Sequence, residues 1–518
     1  MGIFLICGYT GKKDKMNKKL ATILLLVMCC TTLTACFGGD NNKKGSSSGE
    51  NNSIVVGIQN DLDSLDPHLA ETAGTREVLY NIFEGLVKPD KNGNLVSAVA
   101  SEYKVSEDGT VYTFTLRENV KFHNGEAVTA EDVKYSIERN AGMIDGGDVL
   151  VSAFAKISSV NIVDPSTVEV VLSEADTEFI SYMTVAIIPK DYDDQAANPV
   201  GTGPFKFVSY TPQQNFKIEK FADYWGEGAE IENVEFRIVQ NTDSVILDLK
   251  AGSIDIYPYL TDSQAAELSG TMNIEAGNSN LTQALYLNNA NEIFSNKLVR
   301  QAMYYAIDRE EIMSIVSGGK GTMLGSALYS GFGKYYTDLS GDYKCDVEKA
   351  KELLKEAGYE NGFSFTIKIP SNYQFHVSTG EVIVEQLKEV GITANIELID
   401  WTTWLNDVYT NRDFEATIIG IDAKLAPSDM MLRYKSDYSK NFCNYNNAEY
   451  DDVLAKAMAT TDEEEKTQYY HQLQQILSDD AAAIFIQDPP TLVAMNKNLT
   501  GFTFYPIFVQ DMSVIKFQ

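Results

Sequence analysis

The chain has 518 residues, with 42 Lys and Arg against 73 Asp and Glu, and a formal net charge of −31 at pH 7. Such an acidic chain, with no basic stripe along it, excludes nucleic acid as a partner because the phosphate backbone would repel it. The length predicts two or three lobes, since domains usually hold roughly 100 to 200 residues.

The N-terminal segment has the features of a lipoprotein signal peptide. A short basic stretch (MNKKL, 16–20) precedes an apolar run over residues 21–33, and Leu33-Thr34-Ala35-Cys36 has the form of a lipobox. The apolar run is shorter than the roughly 20 residues that a membrane-spanning helix needs. We therefore predict a signal peptide over 1–35, with a start possibly at Met16, and lipidation of Cys36. An uncleaved anchor helix is the alternative.

A polar segment follows the predicted lipidation site. Residues 37–53 (FGGDNNKKGSSSGENNS) are rich in Gly, Ser and Asn and too poor in apolar side chains to form a core. We predict that residues 36–53 are a lipidated cysteine and a flexible tether. In the body that follows, Cys345 and Cys443 are the remaining cysteines. A disulfide between them is possible, but the sequence does not place them together.

The first part of the body reads as antiparallel strands with one helix. Ile54–Ile58 is typical of a short buried strand, and alternating residues on both sides of Asp108-Gly109 predict a hairpin. Thr129 and Asp132 form a capping-box pattern that predicts a helix through about Arg139. One partly helical, antiparallel lobe is therefore expected up to about residue 185.

The later part of the body has an alternating strand and helix pattern over about 290–485. Asp346 predicts a helix cap, and Gly358 ends that helix. A strand over 363–369, a helix from about Gly380 and a strand over 392–399 predict a crossover between parallel strands. Ligands of such sheets bind at the carboxyl ends of the strands.

Catalytic and metal motifs are missing from the sequence. The four histidines do not form a metal-ligand pattern, and neither the nucleophile-elbow spacing nor the phosphate-loop spacing occurs. The sequence therefore predicts no enzyme activity, no cofactor and no dedicated metal site.

Several long strings resemble the extracytoplasmic solute-binding protein family 5, whose members are oligopeptide-, dipeptide- and nickel-binding lipoproteins of ABC importers. The resemblance covers nearly the whole mature chain. It rests on SLDP (64–67), NIFEGLV (81–87), GTVYTFTLRENVKFHNGEAVTAEDVKYSIER (109–139), PVGTGPF (199–205), YLNNANEIFSNKLVRQAMYYAIDREEI (286–312), VEQLKEVGITANIEL (384–398) and YDDVL (450–454). Of these strings, AIDR at 306–309 is interpreted as a helix segment.

The resemblance implies an α/β fold like that of type II periplasmic binding proteins, with two lobes, a two-strand hinge and an inserted subdomain. The expected hinge crossings lie near Leu285–Asn288 and near Ile486–Pro490. The expected boundaries are 54–80, 186–285 and 488–518 for lobe I, 81–185 for the inserted subdomain and 286–487 for lobe II. Closing of the lobes around a solute would remove it from water.

Matching positions of the family pattern supply the candidate ligand-binding residues. These are Glu71, Thr72 and Ala73 after the SLDP loop, Ala284 and Tyr286 on the first hinge strand, and Trp401 after the last parallel strand. Core packing is the alternative for Trp401, and Trp404 is expected to be core.

One departure from the family pattern bears on the ligand. Peptide-binding members usually have Gly-Trp-x-x-Asp, where the aspartate pairs with the amino group of the peptide. Here the matching stretch begins at Gly420 and has Lys424 at the aspartate position, with Asp422 two residues earlier. We expect an acidic ligand group near Lys424, because a buried ammonium favours a negative partner. The alternatives are an amino-group contact made by Asp422, and an internal ion pair for Lys424.

Three functions remain open at this point. The first is capture of a peptide or peptide-like solute for an ABC permease by a monomer that is lipid-anchored on the extracytoplasmic face of the cell membrane. The second is binding of a metal chelate or an opine-like anionic compound. The third is a surface receptor or sensor that reuses the fold.

Overall fold

The first lobe begins with a strand at the centre of a mixed sheet. The computed structural model describes residues 52–144, 146–239, 244–422 and 424–518. The predicted signal peptide, Cys36 and most of the predicted tether lie outside the described residues. Strand β1 (Ser53–Ile58) confirms the predicted buried strand, and helix α1 (Ala73–Leu79) follows it.

A separate antiparallel sheet forms the core of an inserted subdomain, which we define as residues 86–187. Its sheet has the order β4-β5-β7-β6, with α2 packed against it. The pairing of β4 with β5 confirms the predicted hairpin, and the capping box of Thr129 and Asp132 opens α2 as predicted. The elements are β2 (Val87–Pro89), β3 (Leu95–Ser97), β4 (Ala100–Val105), β5 (Val111–Leu116), α2 (Ala130–Asn140), β6 (Ile157–Asp164) and β7 (Thr167–Leu172).

The chain then returns to the first sheet. The elements are β8 (Phe205–Thr211), β9 (Asn215–Lys220), β10 (Asn233–Ile238), α3 (Val245–Ala251), β11 (Ile256–Tyr257), α4 (Asp262–Leu268) and β12 (Asn273–Asn278). Strand β1 pairs in parallel with β10 and β11, while β8, β9 and β10 form an antiparallel meander.

The second lobe, residues 281–488, contains a second mixed sheet with helices around it. Its elements are β13 (Leu281–Leu287), α5 (Lys297–Ala306), α6 (Arg309–Val316), β14 (Thr322–Met323), α7 (Val347–Glu356), β15 (Ser364–Pro370), α8 (Gln374–Lys388), β16 (Thr393–Ile399), α9 (Trp401–Thr403), β17 (Ala416–Asp422), α10 (Pro427–Met431), α11 (Ala448–Ala459), α12 (Glu463–Asp479) and β18 (Ile484–Asp488). The sheet order is β14-β18-β13-β17-β15-β16. The parallel pairing of β15 with β16 across α8 confirms the predicted crossover.

Local capping decides several helix boundaries in this lobe. Asp346 caps α7 through the backbone N–H of Lys349, as predicted. The interpretation of AIDR (306–309) as one helix segment is wrong, because α5 ends at Ala306 and α6 begins at Arg309. Asp308 between them has extended dihedrals and accepts the N–H of Glu311, so a new helix starts at this point.

The chain ends in the first lobe with β19 (Pro490–Met495), β20 (Leu499–Thr500) and β21 (Lys516–Phe517). Strand β19 pairs with β11 and β12, which completes the sheet order β12-β19-β11-β1-β10-β9-β8. Within the described residues, no helix has the length and apolar character needed to cross a membrane.

Two short crossings join the sheets of the two lobes. Ser279 and Asn280 connect β12 to β13, and Pro489 connects β18 to β19. The expected crossing near Leu285–Asn288 is therefore displaced, since Leu285 lies within β13 and pairs with β17 in the second sheet. The expected second crossing, near Ile486–Pro490, contains the observed one.

Candidate functional site

A cavity of about 480 Å³ lies between the two lobes. The first lobe contributes the α1 region and the C-terminal segment around 507–513, and the inserted subdomain contributes residues near 150 and 181–186. The second lobe contributes the segment that follows β17, from Asp422 to Asp429. Elements far apart in sequence therefore meet around a space of the size that small-molecule sites usually have.

Lys424 is a cation in the cavity wall. Its ammonium makes no hydrogen bond or ion pair with any described residue, although the side chain is largely buried. Burial lowers its pKa, and the nearby cations Arg76 and Arg433 lower it further, while Asp422 and Asp429 act in the opposite direction. A partly desolvated cation that lacks a partner favours an anionic ligand group.

Arg76 lines the cavity from the first lobe, opposite the second-lobe segment. Its guanidinium donates to the backbone carbonyls of Glu71, at 2.5 Å, and Ala70, at 3.4 Å. Among the described residues, no carboxylate lies within ion-pair distance of Arg76. The two lobes therefore each present a cation whose charge has no direct counter-ion.

The carboxylates of the first-lobe wall are already occupied. Glu84 accepts hydrogen bonds from Lys88 Nζ at 2.9 Å, from the Tyr224 hydroxyl at 2.8 Å and from Trp225 Nε1 at 2.7 Å. Asp511 accepts the hydroxyl of Tyr505 at 2.7 Å and also bonds to Ser513. These groups are held within the protein and leave little capacity for a ligand.

The second-lobe wall has two carboxylates in different situations. Asp429 Oδ1 accepts the Tyr182 hydroxyl at 2.8 Å, and burial raises the pKa of Asp429. The side-chain carboxylate of Asp422, at the carboxyl end of β17, accepts no hydrogen bond from the described residues and forms no ion pair with them. The cavity thus contains an anion and a cation, Asp422 and Lys424, that are both available to a ligand with opposite charges on its two groups.

The other residues nominated from the sequence lie outside the described cavity wall. Glu71 and Thr72 are exposed, and Ala73 begins α1 beside them; Thr72 bonds to Asp63, and Glu71 supplies the carbonyl that holds Arg76. Ala284 and Tyr286 are buried in the core of the second lobe.

Trp401 is 36% exposed and stacks on Trp404, with ring centroids 5.0 Å apart. Trp404 is core, as predicted, since it is 2% exposed and donates its indole N–H to Thr417. Trp401 therefore lies at the protein surface, where it covers the buried ring of Trp404, and it is not part of the cavity wall.

Sequence reasoning missed Arg76, Tyr182 and the 507–513 segment. Arg76 lies one helical turn beyond Thr72, so the helix period indicated that it shares a face with the nominated residues. Tyr182 lies in the inserted subdomain and the 507–513 segment lies near the C-terminus. Neither carries a local pattern that indicates a cleft.

Comparison with known proteins agrees with this architecture. Residues 94–443 match the model of the bacterial extracellular solute-binding proteins, family 5 Middle. The glutathione-binding protein GsiB of Salmonella typhi is 29% identical over 474 residues, which cover 88% of this chain and 92% of that protein.

Two solved structures show the same fold with bound solutes. The binding protein AgaA from A. tumefacien R10, in complex with agropinic acid, is 28% identical, with a TM-score of 0.74 and coverage of 90% of this chain and 99% of that one. DppA from Helicobacter pylori, in complex with the peptide STSA, is 26% identical, with a TM-score of 0.76 and coverage of 90% and 98%.

Proposed function

Since the chain belongs to the bacterial extracellular solute-binding proteins of family 5, we propose that it captures a small peptide or peptide-like solute and delivers it to an ABC importer. The observation that carries this proposal is the cavity between the two lobes, whose wall combines groups from both lobes. Closure of the lobes would hold the solute away from water and produce the shape that a permease recognises. Binding alone is required, so the protein needs no catalytic group.

The ligand of this cavity carries an acidic group that lies near Lys424. Support comes from the ammonium of Lys424 and the guanidinium of Arg76, which have no carboxylate partner at ion-pair distance among the described residues. Asp422 lies on the same wall and would accept an amino group of the same ligand. A zwitterionic peptide-like molecule satisfies both requirements.

An opine-like anionic compound is the second candidate ligand. It is favoured by the same two cations, Lys424 and Arg76, which have no carboxylate partner among the described residues, and by the likeness to AgaA, which was solved with agropinic acid. The two candidates differ at Asp422. A peptide-like ligand needs that carboxylate for its amino group, whereas an opine-like ligand without a basic amino group does not.

We further propose that the protein is a lipoprotein, anchored through Cys36 to the extracytoplasmic face of the cell membrane, and that it acts as a monomer. The lipobox at residues 33–36 and the polar segment at 37–53 support this arrangement. A single acyl chain holds a protein only weakly, so stable anchoring requires more than one chain on the N-terminal cysteine.

The experiment that tests the ligand proposal begins with native mass spectrometry of protein purified without refolding, which identifies a co-purifying solute. Calorimetry with that solute, or with glutathione and C-terminally amidated glutathione as probes, then compares the wild type with Lys424→Ala. We expect the variant to lose about tenfold or more in affinity for the acidic compound, as for a lost hydrogen bond between charged groups.

Matched variants separate the alternatives. Lys351→Ala removes an exposed lysine of α7 that pairs with Glu348, so affinity should not change. Asp422→Asn should weaken a peptide-like ligand and leave unaffected an opine-like ligand that lacks a basic amine. Unchanged affinity in Lys424→Ala would eliminate the acidic-group proposal, and the absence of any bound solute or probe binding would count against the transport function itself.

A further inference from the structure

One contact between the inserted subdomain and the second lobe is made by a short turn, a 3₁₀ helix over Phe179–Thr184 and the residues before it. The Tyr182 hydroxyl donates to Asp429 at 2.8 Å, and the Thr177 hydroxyl donates to the carbonyl of Thr460 at 3.3 Å. These contacts lie far from the two hinge crossings in the chain. Tyr182 and Asp429 both line the cavity, so this contact lies at its border.

Glu178 is the most buried member of this turn that contacts the other lobe. It is 7% exposed, and its carboxylate accepts the backbone N–H of Ser428 at 3.1 Å and the hydroxyl of Tyr470. Both donors belong to the second lobe. Burial raises the pKa of Glu178, while Lys466, itself 3% exposed, opposes that shift from the same lobe.

The contact with Ser428 completes the start of helix α10. Ala426 occupies the N-cap position and has no side-chain group that can accept a hydrogen bond, and Pro427 at the first helical position has no N–H. The N–H of Ser428 is therefore the first one that needs a partner, and the carboxylate of Glu178 provides it from the opposite lobe.

The segment that Glu178 caps is also the cavity wall. Lys424, Leu425, Ala426 and Asp429 line the cavity, and they lie before and within the first turn of α10. The hydrogen bond between Glu178 and the N–H of Ser428 therefore lies between residues that line the cavity on both sides of it.

We propose that Glu178 is a positioning residue that couples closure of the lobes to assembly of the ligand-binding wall. When the inserted subdomain meets the second lobe, its carboxylate caps α10 and orders residues 424–429. The subdomain thereby acts as a clasp that stabilises the closed state. This inference rests on the lobe closure that the proposed function requires, but it does not depend on the identity of the ligand.

Hydrogen exchange tests the wall-ordering step on the full protein without any added solute. In Glu178→Ala, backbone amides of the segment 424–434 should exchange about tenfold faster than in the wild type, because the N–H of Ser428 loses its acceptor. Glu178→Gln retains one carbonyl acceptor and should restore part of the protection. Glu174→Ala changes an exposed acid of the same loop, which pairs with Lys156 inside the subdomain, and should exchange like the wild type.

A distance measurement tests the clasp. Spin labels attached after Lys104→Cys in the inserted subdomain and Lys351→Cys in the second lobe, both exposed positions, report lobe separation once the exposed Cys345 is changed to Ser. Glu178→Ala should increase the population at longer distance, and Glu178→Gln should reverse much of that increase.

Two results would overturn the proposal. One is an exchange rate and distance distribution in Glu178→Ala that match the wild type. The other is faster exchange spread equally over distant helices such as α7 (Val347–Glu356), which would indicate general destabilisation. Failure of the ligand proposal would appear in calorimetry instead, so the two outcomes can be told apart.

Discussion

Asp488, at the second hinge crossing, should make the stability of the protein depend on pH. Its side chain is fully buried at the end of β18. Its Oδ1 accepts a hydrogen bond of 3.1 Å from the backbone N–H of Leu281, the first residue of β13 after the first crossing. Its Oδ2 has no hydrogen-bond partner among the described residues. Burial raises the pKa of Asp488 to about 7, against 3.8 for an ordinary aspartate.

The sign of the effect follows from proton binding. Between about pH 4 and pH 7 the folded protein keeps the Asp488 proton while the unfolded chain has lost it, so the free energy of unfolding falls as the pH rises. Each pKa unit corresponds to about 1.4 kcal/mol, which gives an upper limit of about 4 kcal/mol across the window. Asp488→Asn stays neutral and keeps an acceptor for Leu281, so it should lack this loss.

Urea denaturation at pH 5 and pH 8, followed by tryptophan fluorescence, measures the difference between Asp488→Asn and the wild type. We expect the variant to gain stability relative to the wild type at pH 8, by up to about 4 kcal/mol, and much less at pH 5. Burial lowers the pKa of His68, His123 and His376 to about 4, so these histidines make stability rise with pH up to about 6.5.

The histidine contribution is common to both proteins and cancels in the comparison. The cost of placing an amide N–H₂ at the position of Oδ2 is also nearly the same at both pH values. A stability difference that does not change between pH 5 and pH 8 would refute the assignment of a high pKa to Asp488.

Two further predictions concern a buried cation and the N-terminus. Arg309 is 3% exposed and donates to the carbonyls of Leu324, Ser340 and Tyr343 at 2.6 to 2.8 Å. Arg309→Lys leaves some of these carbonyls unpaired, so it should lower the free energy of unfolding, measured by urea denaturation, by about 3 kcal/mol. The control Arg237→Lys changes a more exposed ion pair and should lower the free energy of unfolding by less than about 1 kcal/mol. Cys36→Ser should abolish metabolic labelling with palmitate and release the protein from the membrane fraction; retained labelling would contradict the lipobox assignment.

Local sequence patterns predicted the elements whose formation depends on neighbouring residues. Capping residues, turn residues and the alternation of apolar side chains predicted these elements correctly. They are the helix caps at Thr129 and Asp346, the hairpin at Asp108-Gly109 and the crossover through β15, α8 and β16. The failure at residues 306–309 has a local cause as well, because Asp308 caps a new helix inside a string that looks continuously helical.

Tertiary structure alone decided the hinge position and the composition of the cavity wall. The resemblance implies a hinge strand that contains Ala284 and Tyr286. Only the pairing of β13 (Leu281–Leu287) with β17 and β18 assigns this strand to the second lobe and moves the crossing to Ser279 and Asn280. The sequence alone singled out Lys424 as a charge that departs from the family pattern. Lys424 has no carboxylate at ion-pair distance in the part of the chain that the structure describes, and Arg76 lines the same cavity from the other lobe. Both facts depend on how segments hundreds of residues apart pack together, which no local periodicity encodes.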